Sequence, residues 1–78
     1  MSYAFDVYYR RPQDNEREAN IITQVTCRGG RLDYRETTGQ DDGTVCLTFE
    51  FEAESSAEEA ATALRECGEH VEGVYGYG

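Results

Sequence analysis

Residues 44–52 read TVCLTFEFE, and their strict alternation of apolar and polar side chains decides the fold. A period of two is typical of a β-strand that buries one of its faces. On the buried face we expect the four apolar residues Val45, Leu47, Phe49 and Phe51. The opposite face carries the alternate residues Cys46, Thr48, Glu50 and Glu52. The stretch therefore predicts a sheet that is packed on one side and open on the other.

The residues before this stretch predict a strand followed by a helix. Residues 3–10 also alternate, with Phe5, Val7 and Tyr9 directed inward and Asp6, Tyr8 and Arg10 directed outward. Pro12 ends this strand, and Asp14 or Asn15 can cap the helix that follows. The helix extends to about Arg28, where two glycines end it. Its apolar spacing predicts burial of Ala19, Ile22 and Val25, with Ile21 at the flank.

Three further elements complete the chain. Residues 31–38 predict a strand with Leu32 and Tyr34 directed inward, and residues 39–43 (GQDDG) predict a polar hairpin turn. Ser56 and Glu59 match a capping box at the start of a second helix, which Gly68 ends. The apolar stripe of that helix is narrow and rich in alanine, comprising Ala57, Ala60, Ala61, Leu64 and Cys67. Residues 71–77 predict a last strand that glycines interrupt.

The predicted order β-α-β-β-α-β indicates an α+β fold class. Two βα units joined by a hairpin form the arrangement of ferredoxin-like domains. Right-handed crossovers then place both helices on one face of an antiparallel four-stranded sheet. We therefore expect a single ferredoxin-like domain over residues 1–78, with Arg31 near Glu50 or Glu52. The uncovered face is expected to carry Asp6, Tyr8, Arg10, Asp33, Arg35, Cys46, Thr48, Glu50 and Glu52.

The charge of the chain is strongly negative and unevenly distributed. Sixteen acidic residues and seven arginines, with no lysine, give a formal net charge of −9. Residues 1–35 carry a net charge of +1, whereas residues 36–78 carry −10. The asymmetry favours a cationic partner, although acid enrichment without lysine is also typical of adaptation to concentrated salt. Nucleic-acid binding is not expected, because it requires a cationic surface.

The composition also limits the size of the hydrophobic core and indicates the cellular compartment. Leu, Ile, Val and Phe make up only 13 of the 78 residues, so we expect the domain to depend on a partner, on self-association or on salt. We expect no membrane span, since the apolar runs are short, and no signal peptide within residues 1–11. Three cysteines without a paired motif favour reduced thiols and a cytoplasmic location.

The residue types that could support catalysis or metal binding do not form a recognisable site. Cys67 and His70 have metal-like spacing, but such a pair supplies only half of a zinc site. The same two residues lack an orienting partner for nucleophilic catalysis. Asp41 and Asp42 lack the spaced oxygen ligands of a calcium loop. We predict that the chain is not an enzyme and uses neither a metal nor another cofactor.

The sequence favours a protein-interaction module that docks on a basic protein surface, for example as an inhibitor that mimics nucleic acid, or that self-associates. The expected interaction residues are Tyr8, Glu50 and Glu52 of the open face, together with Glu58, Glu59, Glu66 and Glu69 around the second helix. Two alternatives stay open. One is a small-molecule regulatory domain similar in topology to ACT domains, with residues 12–15 lining its site. The other is a small salt-adapted protein.

Overall fold

The computed structural model describes residues 1–10, 14–38 and 43–77. The elements in this part of the chain are β1 (Ser2–Arg10), α1 (Asn15–Thr26), β2 (Arg31–Thr38), β3 (Thr44–Phe51), α2 (Glu54–Glu66) and β4 (His70–Tyr77). The predicted order β-α-β-β-α-β is confirmed. The predicted strand end at Pro12 and most of the predicted turn at residues 39–43 lie outside the described residues.

The described strands form one antiparallel sheet with the order β2-β3-β1-β4. The two strands with the clearest alternation, β1 and β3, occupy its centre, and β2 and β4 are its edges. Both helices contribute to the same core cluster against one face of the sheet. This is the ferredoxin-like α+β arrangement that the sequence predicts. Within the described residues, neither helix is long and apolar enough to span a bilayer.

The core lies between the helices and the inward face of β1 and β3. The ring centroid of Phe5 is 5.8 Å from that of Phe49 and 5.4 Å from that of Phe51. The buried positions of α2 are mainly alanines, whose small side chains let the helix lie close to the sheet. The inward residues predicted for β1 and β3 are confirmed as buried, namely Phe5, Val7, Tyr9, Val45, Leu47, Phe49 and Phe51.

The first helix begins as predicted but buries a different face. The Asp14 side chain accepts a hydrogen bond of 2.9 Å from the Arg17 backbone N–H and caps α1. The buried residues are Glu18, Ile21 and Val25, whereas Ala19 is exposed and Ile22 is only half-buried. The prediction of an Ala19 and Ile22 face is therefore wrong. It considered only apolar spacing, whereas polar contacts hold Glu18 against the sheet.

The start of the second helix is also different from the prediction. Helix α2 begins at Glu54 with Ala53 at the N-cap position, so the capping box that begins at Ser56 does not form. The first helical hydrogen bond already runs from Ala57 N–H to Ala53 C=O at 3.2 Å. Only two residues therefore separate the buried Phe51 at the end of β3 from the start of α2.

The edge strand β2 contains a bulge that reverses the predicted direction of its side chains. Leu32 pairs with Phe49, but Tyr34 pairs with Thr48, so Asp33 is an extra residue between them. One extra residue exchanges the two faces of all residues that follow it. The predictions for β2 are therefore wrong in two respects. Tyr34 lies on the open face and Arg35 on the helical face, while Leu32 keeps its predicted face but stays 37% exposed.

The bulge brings Arg35 to a buried carboxylate that joins three elements. Arg35 of β2 donates from Nε to Glu18 Oε1 at 2.8 Å and from Nη2 to Oε2 at 3.0 Å. The Tyr9 hydroxyl of β1 donates to the same carboxylate of α1. The Asp14 backbone N–H in turn donates to the Tyr9 hydroxyl oxygen at 3.1 Å. Glu18 thus ties the first helix to a central strand and to an edge strand.

We expect the Glu18→Gln substitution to lower the free energy of unfolding at neutral pH by about 2 kcal/mol, because it removes a charge-assisted pair. The hydrogen bond from Arg35 lowers the pKa of Glu18. The stabilisation by this carboxylate is therefore complete above its unfolded pKa, near 4.3, and is lost as the pH falls through the lower folded pKa. Urea unfolding at several pH values measures this.

The matched control for this prediction is Glu16→Gln, since Glu16 is an exposed glutamate of the same helical turn. This variant should change the stability by less than about 0.5 kcal/mol at neutral pH. The difference between wild type and Glu18→Gln should shrink toward acid pH. Equal effects of the two variants, or a difference that is constant with pH, would contradict the role assigned to Glu18.

The backbone of Gly30, between α1 and β2, approaches the core closely. A Cβ atom at this position would lie 2.4 Å from Phe51 Cζ and 2.6 Å from Val25 Cγ1. We therefore expect Gly30→Ala to destabilise the fold by about 1–3 kcal/mol through overpacking. The neighbouring Gly29 has a positive φ of 88° but open space around it, so Gly29→Asn is the control and should cost much less. Thermal unfolding compares the two.

Candidate interaction surface

We call the face of the sheet that points away from the helices the open face. The register of the four strands shows which residues it carries. Residues directly opposite one another on neighbouring strands share a face. From β2 to β4, three successive rows cross the open face, and they comprise Arg31-Glu50-Ala4-Tyr75, Tyr34-Thr48-Asp6-Glu72 and Glu36-Cys46-Tyr8-His70. Within the described residues, this face therefore combines tyrosines with carboxylates.

Two tyrosines of the edge strand β4 extend over the open face toward β1 and β3, where carboxylates bind their hydroxyl groups. Tyr77 reaches across to Glu50 of β3 and donates to its Oε2. Tyr75 donates to Asp6 Oδ2 at 3.2 Å, and the Tyr75 and Tyr77 ring centroids are 6.3 Å apart. Their residue exposures of 43% and 39% show that each stays in contact with solvent. The result is a pair of rings held in place by carboxylates.

Tyr34 is the third exposed aromatic residue of the open face, and the bulge in β2 places it there. It is 56% exposed. Tyr8, in contrast, is half-buried in the central strand, with its ring centroid 6.0 Å from that of His70. Tyrosine combines a large apolar ring with a polar tip, which suits it to protein interfaces. The open face therefore has the composition of an interaction surface.

The carboxylates of the open face differ in how they are paired. Glu50 is only 9% exposed, and its carboxylate contacts both the Tyr77 hydroxyl and the Arg31 guanidinium. The expected proximity of Arg31 to Glu50 is confirmed. Asp6 accepts hydrogen bonds from hydroxyl groups, with the Thr48 hydroxyl oxygen 2.6 Å from Oδ1. Glu72 lies opposite Asp6 and is 3.5 Å from the imidazole Nε2 of His70.

The predicted interaction residues do not form one surface. Tyr8 and Glu50 lie on the open face, and Glu52 is exposed just after the end of β3. Glu58, Glu59 and Glu66 are exposed on α2, which packs on the other face of the sheet. Glu69 forms a bidentate pair with Arg17 of α1, with Nη2 2.8 Å and Nε 3.0 Å from Oε1.

Sequence reasoning missed the three most exposed tyrosines of the open face. Tyr75 and Tyr77 alternate with glycines in the last strand, and this period of two could have identified them as members of one face. Tyr34 carried no such signal, because its direction depends on the bulge at Asp33. A bulge inserts one residue without changing the composition of a strand, so alternation alone predicts the wrong face.

Cys67 and His70 do not face a common site. His70 belongs to the open face beside Tyr8, whereas Cys67 lines a groove between the helices. Cys27 and Cys67 follow the C-terminal ends of α1 and α2, and because the helices are antiparallel, these thiols lie at opposite ends of the helical layer. Within the described residues, no group of three or more His, Cys, Asp or Glu side chains could hold a metal ion.

The groove between the helices has a volume of about 600 Å³. Asp14, from the segment expected to line an ACT-like ligand site, is part of its wall, while residues 11–13 lie outside the described residues. Arg17 and Glu69 line the same groove, but each satisfies the other. These two residues therefore leave few unpaired polar groups for a ligand in the groove.

Comparison with known proteins supports the fold alone. No protein-family model matches the chain, and no curated protein is significantly similar to it. Among solved structures, it is similar to "De novo designed protein Foldit4", with a TM-score of 0.60 and 14% sequence identity over 100% of each chain. At this identity the similarity extends to the ferredoxin-like α+β architecture and to nothing more specific.

The environment of Tyr8 yields a test of the open-face geometry. Burial, followed by the neighbouring Cys46 and Asp6, raises the pKa of Tyr8 to about 12. The pKa of a free phenol is near 10, so the contribution of neutral Tyr8 to stability is complete below about pH 10 and is lost as the pH rises toward 12. In an alkaline titration followed by tyrosinate absorbance, we expect Tyr8→Phe to lower the amplitude of the ionisation near pH 12 by one phenol.

The control for this titration is Tyr34→Phe, which changes an exposed ring of the same face. A general effect of removing one phenol from this face would be the same in both variants. Circular dichroism recorded at each pH shows whether the chain is still folded. An identical late ionisation in wild type and Tyr8→Phe would show that the surroundings of Tyr8 are not those described.

Proposed function

We propose that this chain is a non-catalytic protein-interaction module whose open face binds a basic surface of a partner protein. The observation that carries this proposal is the combination of exposed tyrosines with carboxylates on one face of the sheet. Tyr34, Tyr75 and Tyr77 account for three of the five large apolar side chains that are exposed among the described residues. Aromatic side chains gathered on an exposed surface are typical of binding sites.

Charge complementarity favours a basic partner for this face. Its three rows contain the carboxylates of Asp6, Glu36, Glu50 and Glu72 and one arginine, Arg31, while Arg10 lies one row further along the same face, opposite Thr44. Several other arginines are engaged within the chain. Arg17 pairs with Glu69, and Arg65 Nη2 donates to the backbone carbonyls of Val71 at 3.1 Å and Gly73 at 2.8 Å. The surface left to a partner is therefore negative.

A foreign basic partner fits this face better than a second copy of the chain. Placing two open faces against each other would bring like carboxylates together, and like charges at an interface oppose association. The net charge of −9 also opposes the association of two copies at low ionic strength. Self-association, which the small core led us to expect, would therefore need concentrated salt or another surface.

The acidic side of α2 supports the proposal less well. Glu58, Glu59 and Glu66 are exposed on a helix whose buried residues are already packed in the core. These carboxylates fit the idea of a nucleic-acid mimic, but they lack the neighbouring aromatic rings that the open face provides. An exposed row of glutamates is also what a salt-adapted surface requires, and salt adaptation stays the second candidate.

We expect a short lysine–glycine peptide to shift the backbone amide resonances of β1, β3 and β4 more than those of α2. Binding should weaken as salt rises, since exposed charges are screened beyond about 8 Å at physiological ionic strength. The double variant Glu36→Gln/Glu72→Gln should weaken binding about tenfold or more at low salt, because both carboxylates belong to the open face.

The matched control is Glu58→Gln/Glu59→Gln, which changes the net charge by the same amount on the helical side. It should weaken binding much less. Equal losses in the two double variants, or shifts centred on α2, would overturn the proposed interface. A chain that folds only in molar salt, with no localised shifts, would support salt adaptation instead.

A further inference from the structure

One three-part arrangement occurs twice in this molecule. A tyrosine hydroxyl donates to a carboxylate, and an arginine from a neighbouring element binds the same carboxylate. On the helical side the three parts are Tyr9, Glu18 and Arg35. On the open face they are Tyr77, Glu50 and Arg31. The carboxylate is largely buried in both cases, so the arginine compensates a charge that water reaches poorly.

A third tyrosine–carboxylate pair lies at the centre of the open face. The Tyr75 hydroxyl donates to Asp6 Oδ2 at 3.2 Å, and the Thr48 hydroxyl oxygen is 2.6 Å from Oδ1. Asp6 is half-buried in the central strand, and Glu72 stands directly opposite it on β4. Within the described residues no arginine pairs with Asp6 or Glu72, although two like charges are directly opposite each other.

The chain also shows how an arginine fits between an aromatic ring and a carboxylate. The guanidinium carbon of Arg17 is 5.2 Å from the centroid of the Tyr9 ring. The same guanidinium holds Glu69 through contacts of 2.8 and 3.0 Å. A planar guanidinium can face a ring and chelate a carboxylate at the same time, whereas an ammonium group has no plane to do so. The Tyr75 ring and the Asp6 carboxylate offer a guanidinium the same combination of an aromatic ring and a carboxylate.

We propose that the centre of the open face, formed by Asp6, Tyr75 and Glu72, binds an arginine side chain of the partner protein. This inference rests on the proposed function and specifies its recognition chemistry. The guanidinium faces the exposed Tyr75 ring and donates to Asp6 and Glu72, whose charges it compensates. Thr48 and Tyr75 hold the Asp6 carboxylate in place through their hydroxyl groups. The site is thus preorganised before the partner arrives.

The test compares two peptides of equal length and charge, one alternating arginine with glycine and the other alternating lysine with glycine. Titration of the full chain by nuclear magnetic resonance measures the affinity and the location of each peptide. We expect the arginine peptide to bind the open face about tenfold more tightly. Asp6→Asn should remove most of this preference, whereas Glu58→Gln, which removes the same charge from α2, should leave it unchanged.

A second variant keeps the test decisive if Asp6→Asn disturbs the fold. Tyr75→Leu removes the ring of a 43% exposed residue and should lower the affinity for the arginine peptide more than for the lysine peptide. Equal binding of the two peptides at the open face would overturn the arginine site but leave the interaction module intact. Binding of neither peptide at the open face would overturn both proposals.

Discussion

The buried carboxylate of Glu18 is the interaction on which the relation of α1 to the sheet depends. It accepts a bidentate pair from Arg35 and a hydrogen bond from Tyr9, and so it joins a helix, an edge strand and a central strand. A carboxylate with three donors fixes the rotation of α1 about its axis. Ile21 and Val25 then face the core, and Ala19 faces solvent.

The same pairing of tyrosine hydroxyl groups with carboxylates occurs on the open face. Two helices cover one face of the sheet, and the chain has few aliphatic residues with which to cover the other. Tyrosines take this role. Tyr75 and Tyr77 lie over the sheet with their hydroxyl groups on Asp6 and Glu50, and Ala4 beneath them is only 1% exposed. The rings shield the backbone and still present surface to a partner.

The sequence predicts the parts of the fold that depend on local alternation. The inward residues of β1 and β3 are buried as their period of two requires, and the predicted order of elements is confirmed. The predictions are wrong where a contact between residues far apart in the sequence determines which side chains are buried. Glu18 is buried because Arg35 reaches it, and Arg35 reaches it because of the bulge at Asp33. No local pattern around Glu18 or Tyr34 contains that information, so the exposed tyrosine cluster was only partly predictable.

The bulges also affect how copies of this chain can meet. One interrupts the pairing of β2 with β3, and the other interrupts the pairing of β4 with β1. Each of the two outer strands of the sheet is therefore irregular, and β2 in addition alternates charges of both signs along its length. A regular ladder of backbone hydrogen bonds cannot extend smoothly from such borders into another molecule. Irregular borders of this kind oppose strand-by-strand growth into fibrils, which requires regular pairing of exposed edges.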